Sequence, residues 1–342
     1  MAARSNARTG LGAAIIGTGH YLPRRRLTNQ ELITRYRLDT SDEWIVSKTG
    51  IRERRIAAAD ESTTTLAVRA AQQALKSAGI TGDQLGAILV STSSPDTIQP
   101  PTACLVQAAL NARRAFAYDL GAVCSGFVYS LVTALGLMAV QPGLDYVLVV
   151  SAETYSRILD YTDRTTCIFF GDGAGAVVLA RSSRPSILSF YLAADGTRSP
   201  LIGCPSDGPG AMPHLEEMDV TRRCFRMDGK RVWDFVVAVV PQLVEEVLRR
   251  AALGCDAVDL VIPHQANEVL LRHAFSATGI PLARVFINLS HYGNTASASV
   301  PIALSEAVAQ HLIKPGDRVL LLAFGGGLTW GGLLLEWQEP TP

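Results

Sequence analysis

No C-x-x-C pair occurs in this chain, and its six cysteines (Cys104, Cys124, Cys167, Cys204, Cys224 and Cys255) stand far apart. That spacing suggests neither a zinc site nor a disulfide framework, so reduced and mostly buried thiols are expected. Neither sign of charge is in excess: 31 Lys and Arg balance 31 Asp and Glu. No global field therefore favours nucleic acid or an anionic membrane surface. The apolar runs, such as YVLVV and RVLLLAF, fall far short of the roughly 20 residues that span a bilayer. The polar start MAARSNARTG has no apolar signal core, so a cytosolic protein without nucleic-acid or membrane partners is expected.

What is present is an α/β grammar. Short runs rich in Val, Ile and Leu are each followed by Gly, Ser, Pro or Asp and then by a helical pattern. AAIIGTG, AILVSTSSPD, FAYDLGAVC, YVLVVSAE and AGAVVLA read as buried parallel strands, with STTTLAVRAAQQALKSAGI as a helix between them. The second part repeats the order. DLVIPHQAN answers AILVSTSSPD, VFINLSHYGNTASASV answers FAYDLGAVCSGFVYSL, DRVLLLAFGGG answers DYVLVVSAE, and LTWGGLLLEW answers AGAVVLA. A repeat of half the chain points to two fused α/β halves, 1–182 and 183–342, with the seam near Arg181 to Ser186. The stretch from Pro200 to Met227, rich in Gly, Pro and charge, reads as a long surface excursion.

Duplication places Cys124 and Asn294 at matching strand-to-helix corners, and His264 just past another strand end. Ligands bind at that edge of α/β sheets. A cysteine in the first turn of a helix lies in the field of free backbone N–H groups, which favours thiolate over thiol. A lone buried cysteine is more often structural, a lone histidine more often a packed one, and Asn before Thr, Ala and Ser often only a cap. Together the three describe a nucleophile facing two donors for a developing enolate oxygen.

With DTSDEWIVSKTGIRERRI, AVCSGFVYSL, DRTTCIFFGDGAGAVVLA, VIPHQAN, HYGNTASASVPIAL and AFGGGLTWGG in this order, the chain resembles the β-ketoacyl-acyl-carrier-protein synthase III family over nearly its full length. The resemblance implies a thiolase-like fold of two pseudo-repeated halves in α-β-α-β-α layers. It also implies a ping-pong decarboxylative Claisen condensation. Cys124 would carry the acyl group, and the N–H groups of Cys124 and Gly326 would form the oxyanion hole. His264 and Asn294 would stabilise the enolate, beside Phe324. Trp44 would stack on an adenine or brace the pantetheine tunnel, Arg164 and Asn267 would hold phosphate and pantetheine groups, and Trp233 would stand at the entrance. Acyl carrier protein and a second copy of the chain would be the partners, with no metal or organic cofactor.

Departures from the family cluster on substrate handling. Lys48 and Val269 stand where arginines usually grip coenzyme A, and a lysine has no planar fork. Gln99 stands where a partner-subunit phenylalanine often closes the acyl pocket, and Trp233 replaces another phenylalanine. These changes favour carrier-bound or longer donors, as in polyketide branches, including enzymes that join two long chains towards an α-pyrone. Lys230, Arg231, Arg249 and Arg250 offer a basic patch for an acidic carrier. An acyltransferase acting on oxygen or nitrogen is the main alternative, and a catalytic acid in place of Asn294 would suit it better. A silent partner subunit fits poorly with an intact trio. A dinucleotide site at IIGTGHYLP lacks the third glycine and the acidic partner, so its glycines are expected to permit close packing.

Overall fold

The computed structural model describes residues 12–184, 186–204 and 224–338. Most of the expected Pro200–Met227 excursion, residues 205–223, lies outside the described residues.

Two sheets form the framework. The first has five strands in the order Ala13–Tyr21, Gly173–Arg181, Tyr146–Glu153, Ala87–Ser91 and Phe116–Asp119. The second has four, Ile187–Ala194, Thr329–Glu336, Arg318–Gly325 and Leu260–Pro263. Read in this sense, strand directions agree pair by pair: two antiparallel pairings and then a parallel one in each sheet. The sheets are thus mixed, not all-parallel as the apolar runs suggest, because runs buried on both faces look alike in either direction.

The fifth strand of the second sheet shrinks to a single parallel bridge, Val261 to Val285. Gln265 takes the place of the missing ladder. Its side chain donates to the Pro263 and Phe286 carbonyls and accepts from the Asn288 N–H.

Alternation within the strands builds the layers. Val147 and Val149 face a central core while Leu148 and Val150 face an outer one. In the second sheet Val319, Leu321 and Ala323 face the centre, and Leu320, Leu322 and Phe324 face outward. Helices Gly126–Val140 and Ser299–Ala309 fill the central layer. Helix Thr63–Ala78 covers the first sheet, and helices Gly229–Ala251 and Glu268–Phe275 cover the second. The result is the α-β-α-β-α thiolase-like sandwich.

Sequence chemistry sets the helix ends. Ser62 accepts from the Thr65 N–H in a capping box, and Gly79 ends the same helix at φ 68°. A Cβ on Gly17 or Gly19 would sit 2.4 Å from the Ala74 or Ala70 carbonyl of that helix. These glycines let strand and helix touch, as expected for a non-nucleotide role. Val123–Val140, 18 residues, is long and apolar enough by length and composition to cross a membrane, unlike the shorter runs quoted above. Here it is more than half buried and lies between the two sheets, whose apolar faces account for its composition.

A hairpin of Arg25–Thr28 and Glu53–Ile56, with helices Asn29–Tyr36 and Asp42–Thr49, rises beside the site. Fully buried Arg54 anchors it, donating to the carbonyls of Leu27 at 3.1 Å and Ile168 at 2.7 Å.

Candidate active site

Cys124, His264 and Asn294 line one cavity of ≈ 240 Å³, together with Phe324, Gly325, Asn267 and Trp233. Each arrives there by a local device. Cys124 follows Val123, held at φ 47°, in a tight turn that opens helix Gly126–Val140. That left-handed residue swings the thiol out of the helix line. His264 directly follows strand Leu260–Pro263, its N–H bonded to the Leu322 carbonyl at 2.7 Å. Asn294 is bridged to Phe170, its N–H bonded to the Phe169 carbonyl at 2.8 Å.

The hydrogen bonds assign the donors. The Ser299 hydroxyl lies 2.7 Å from His264 Nδ1 and accepts from the Gln265 N–H at 3.2 Å. With its oxygen accepting from the Gln265 N–H, the Ser299 hydroxyl has its proton to give to Nδ1, and this assignment places the imidazole hydrogen on Nε2. Burial pulls His264 down to about 3, so the ring is neutral. Phe324 packs edge to face on it, centroids 5.2 Å apart. Asn294 Oδ1 accepts from the Ala296 N–H at 2.8 Å, so Nδ2 remains as donor.

The thiol corrects one expectation. Burial, reinforced by the Glu153 carboxylate, pushes Cys124 well above the ordinary thiol range, while its own backbone N–H pulls weakly the other way. Desolvation outweighs the helix terminus, and the resting group is a thiol.

Gly325 seats Cys124. A Cβ there would lie 2.7 Å from Cys124 Cβ, so only glycine lets the strand end pass this turn. Gly326 packs one residue away, against Val123. Among the described residues, neither the Cys124 nor the Gly326 N–H donates to a backbone acceptor outside regular elements.

The outer residues divide. Trp233 lines the cavity and meets the His273 ring at 5.9 Å. Asn267 also lines it, yet its side chain is committed at both ends. Nδ2 donates to the Lys48 carbonyl and Oδ1 caps helix Glu268–Phe275. Its amide ties the Trp44 helix to the cavity wall and leaves one Nδ2 proton over. Trp44 and Arg164 stack on each other at 5.1 Å outside the cavity lining, with Trp44 40% exposed. Gln99 is exposed beside Ile98, which is 95% exposed, and does not line this chain's cavity. The basic patch also dissolves. Lys230 and Arg231 open helix Gly229–Ala251, whereas Arg249 and Arg250 close it and both pair with Glu246. At 1.5 Å per residue the two ends lie roughly 25 to 30 Å apart.

The sequence reading missed an aromatic wall beside the sulfur. Tyr155 stacks on Phe170 at 4.7 Å, and Phe225 meets them edge on at 5.6 and 4.8 Å. SAETYS, CIFFGDG and CFRM held the rings. Nothing in the three motifs shows that they meet.

A buried thiol at a helix start, sharing one cavity with a neutral imidazole and a carboxamide within a five-layer duplicated sandwich, is the arrangement of a thiolase-fold condensing enzyme. Two family models place it further: 3-oxoacyl-[acyl-carrier-protein] synthase III matches residues 118–196, and the C-terminal part of the same synthase matches residues 248–337. A β-ketoacyl-[acyl-carrier-protein] synthase III of Syntrophomonas wolfei is 44% identical over 324 residues, 94% of this chain and 97% of that protein. The crystal structure of the corresponding synthase from Aquifex aeolicus VF5 aligns at TM-score 0.87 and 42% identity, covering 95% of this chain and all of the other. The priming β-ketosynthase of the R1128 polyketide pathway aligns at TM-score 0.89 and 34% identity, covering 96% and 97%. The chain belongs to the β-ketoacyl-acyl-carrier-protein synthase III family and is a carbon–carbon bond-forming acyltransferase.

Proposed function

We propose that Cys124 takes an acyl group from a thioester and passes it to the carbanion of a malonyl-type thioester on acyl carrier protein. The sulfur attacks the thioester carbonyl, the Cys124 proton leaves with the departing pantetheine thiol, and the Cys124 and Gly326 N–H groups receive the oxyanion. The malonyl group then loses carbon dioxide. His264 Nε2 and Asn294 Nδ2 stabilise the enolate, and its carbon attacks the acyl-cysteine and releases the sulfur as thiolate, which takes a proton from solvent to restore the thiol. A neutral imidazole is the right donor here, because it needs no counter-charge in a closed cavity. The observation that carries this reading is the pair of unspent donors in the cavity of Cys124. It favours a carbon nucleophile over the alternative, transfer to oxygen or nitrogen, which would want a base. Incubation with an acyl thioester and malonyl-acyl-carrier protein tests it. Intact mass is expected to show acylated Cys124, followed by carbon dioxide release and a product gaining two carbons. An ester or amide product without carbon dioxide would defeat the reading.

Around this core we read halves 1–182 and 183–342, a cytosolic homodimer that brings Gln99 to its partner's pocket, and chemistry with neither metal nor organic cofactor. Among the described residues there is no cluster of three potential metal ligands. Trp44 and Arg164 form the outer rim for the nucleotide or carrier arm.

Lys48, Val269 and Gln99 favour a second reading, a secondary-metabolite branch that uses carrier-bound donors, the longest of which would be joined towards an α-pyrone. The R1128 priming enzyme's likeness is compatible with such a branch. The aromatic wall weighs against long chains lodging beside Cys124 within one chain. Acylation by acetyl-coenzyme A compared with long acyl-carrier thioesters decides between them, and a preference for acetyl-coenzyme A removes the branch reading.

A further inference from the structure

Behind the cavity lies a buried polar cluster that the condensation above does not use. Glu153 ends strand Tyr146–Glu153 with no solvent exposure. Its carboxyl accepts from the Ser93 N–H at 3.0 and 3.2 Å and bonds the hydroxyls of Ser94 and Ser297 at 2.6 Å each. Ser93 and Ser94 follow the first sheet, whereas Ser297 belongs to the second half. Ser297 stands one residue after left-handed Ala296, as Cys124 stands one residue after left-handed Val123. It is therefore the pseudo-symmetric counterpart of the nucleophile, and Asn294 matches Gly121. The corners correspond as expected, but in a register three residues removed from pairing Cys124 with Asn294.

We propose that Glu153 is a positioning residue for the second half-reaction: by holding Ser297 it fixes the Ala296 N–H that orients the Asn294 amide. The chain of contact is short. Glu153 holds the Ser297 hydroxyl, Ala296 is the residue directly before Ser297, and the N–H on the far side of Ala296 bonds Asn294 Oδ1 at 2.8 Å. The Ser297 hydroxyl also lies 3.3 Å from the Ser91 carbonyl, but its single proton goes to the shorter, stronger bond with the carboxyl. Cys124 is not gripped this way. Its turn leans on Gly325 and on the Thr329 bond to the Ala122 carbonyl. Releasing Ser297 from Glu153 thus misaims the enolate donor, while the Glu153 carboxyl, which also acts on the Cys124 thiol, stays in place.

This inference rests on Asn294 serving decarboxylation as proposed above, and the experiment separates the two. Ser297→Ala, Glu153→Gln and Asn294→Ala are compared as full-length protein in two assays. One follows Cys124 acylation by an acyl thioester with intact mass, the other follows carbon dioxide release from malonyl-acyl-carrier protein by the pre-acylated enzyme. Ser297→Ala is expected to slow decarboxylation about 10-fold, the size of one lost hydrogen bond, while acylation stays within about 2-fold. Glu153→Gln keeps the shape and one acceptor oxygen, so it is expected to lose less than Ser297→Ala does. Equal losses in both assays, or no loss in either, would overturn the positioning role. If Asn294→Ala itself leaves decarboxylation untouched, the functional reading falls and this inference falls with it. If Asn294→Ala is slow while Ser297→Ala is normal, only the inference falls.

Discussion

The corners at Cys124 and Ser297 are built alike and used differently. Each follows a small residue with positive φ, 47° at Val123 and 46° at Ala296, and each opens a helix of the central layer. One presents its side chain to the cavity, whereas the other turns a hydroxyl onto a buried carboxyl. A backbone device, once duplicated, does not specify chemistry. What it specifies is a place where a side chain leaves the helix line, and the neighbours decide whether that place opens to the cavity or serves as a fastening.

The strongest way to break this contrast is to exchange the two side chains. Cys124→Ser is expected to lower acylation at least about 10³-fold, since a hydroxyl without a base is a poor nucleophile. Ser297→Cys is expected to gain no acyl adduct, because position 297 does not line the cavity. An acyl adduct on the new thiol would show that the corners are chemically equivalent. Next in size, Asn294→Ala is expected to slow decarboxylation about 10²-fold, as for a lost oxyanion donor, with acylation spared. Carbon dioxide release from malonyl-acyl-carrier protein measures it, and a parallel fall in acylation would merge the two roles.

A third test uses protons. Glu153, behind the second corner, is pushed up to about 7 from 4.5 by burial, and its native form binds more protons than the unfolded chain between those values. Its contribution to stability is full below pH 4.5 and is lost as pH rises through 7. His264 is pulled down to about 3 from 6.5, so its contribution is full above pH 6.5 and is lost as pH falls towards 3. The two oppose each other between pH 4.5 and 6.5. Glu153→Gln is therefore expected to make stability climb more steeply with pH in that window, by at most about 1.4 kcal/mol per pH unit. Urea unfolding at pH 5, 6 and 7 measures the slope, and an unchanged slope would mean that Glu153 is not shifted.

Much of this was legible in the sequence, for identifiable reasons. Cys124, His264 and Asn294 each follow a local signal, a strand end or a helix start, so reading along the chain finds them. The duplicated order of apolar runs likewise matches strands of one sheet to those of the other, Leu260–Pro263 to Ala87–Ser91, Arg318–Gly325 to Tyr146–Glu153 and Thr329–Glu336 to Gly173–Arg181. Strand direction stays hidden, because a run buried on both faces has no polar side to report it. The partners of the site residues stay hidden for a different reason. Ser297 and Glu153 lie 144 residues apart, and His264 and Ser299 lie 35 apart. No spacing rule reaches across such distances. The thiol state was misread for a related cause: the helix start is local and visible, whereas the burial that outweighs it comes from the whole fold.

The smallest effect probes the shared backbone itself. A left-handed residue other than glycine costs about 1–2 kcal/mol, so glycine at either position relieves strain. Against that stand the greater freedom of glycine in the unfolded chain, about 0.4–1 kcal/mol, and the lost burial, about 0.8 kcal/mol per methylene-sized group. Ala296 gives up one methyl, and its terms nearly cancel. Val123 gives up three carbons, including the methyls that would contact a side chain on Gly326. Ala296→Gly is accordingly expected to change stability by less than about 0.5 kcal/mol, and Val123→Gly to destabilise by about 1–2 kcal/mol. Urea unfolding midpoints of the two variants measure the difference. If both variants stabilise equally, Val123 contributes only strain, and the Cys124 turn is held by other residues.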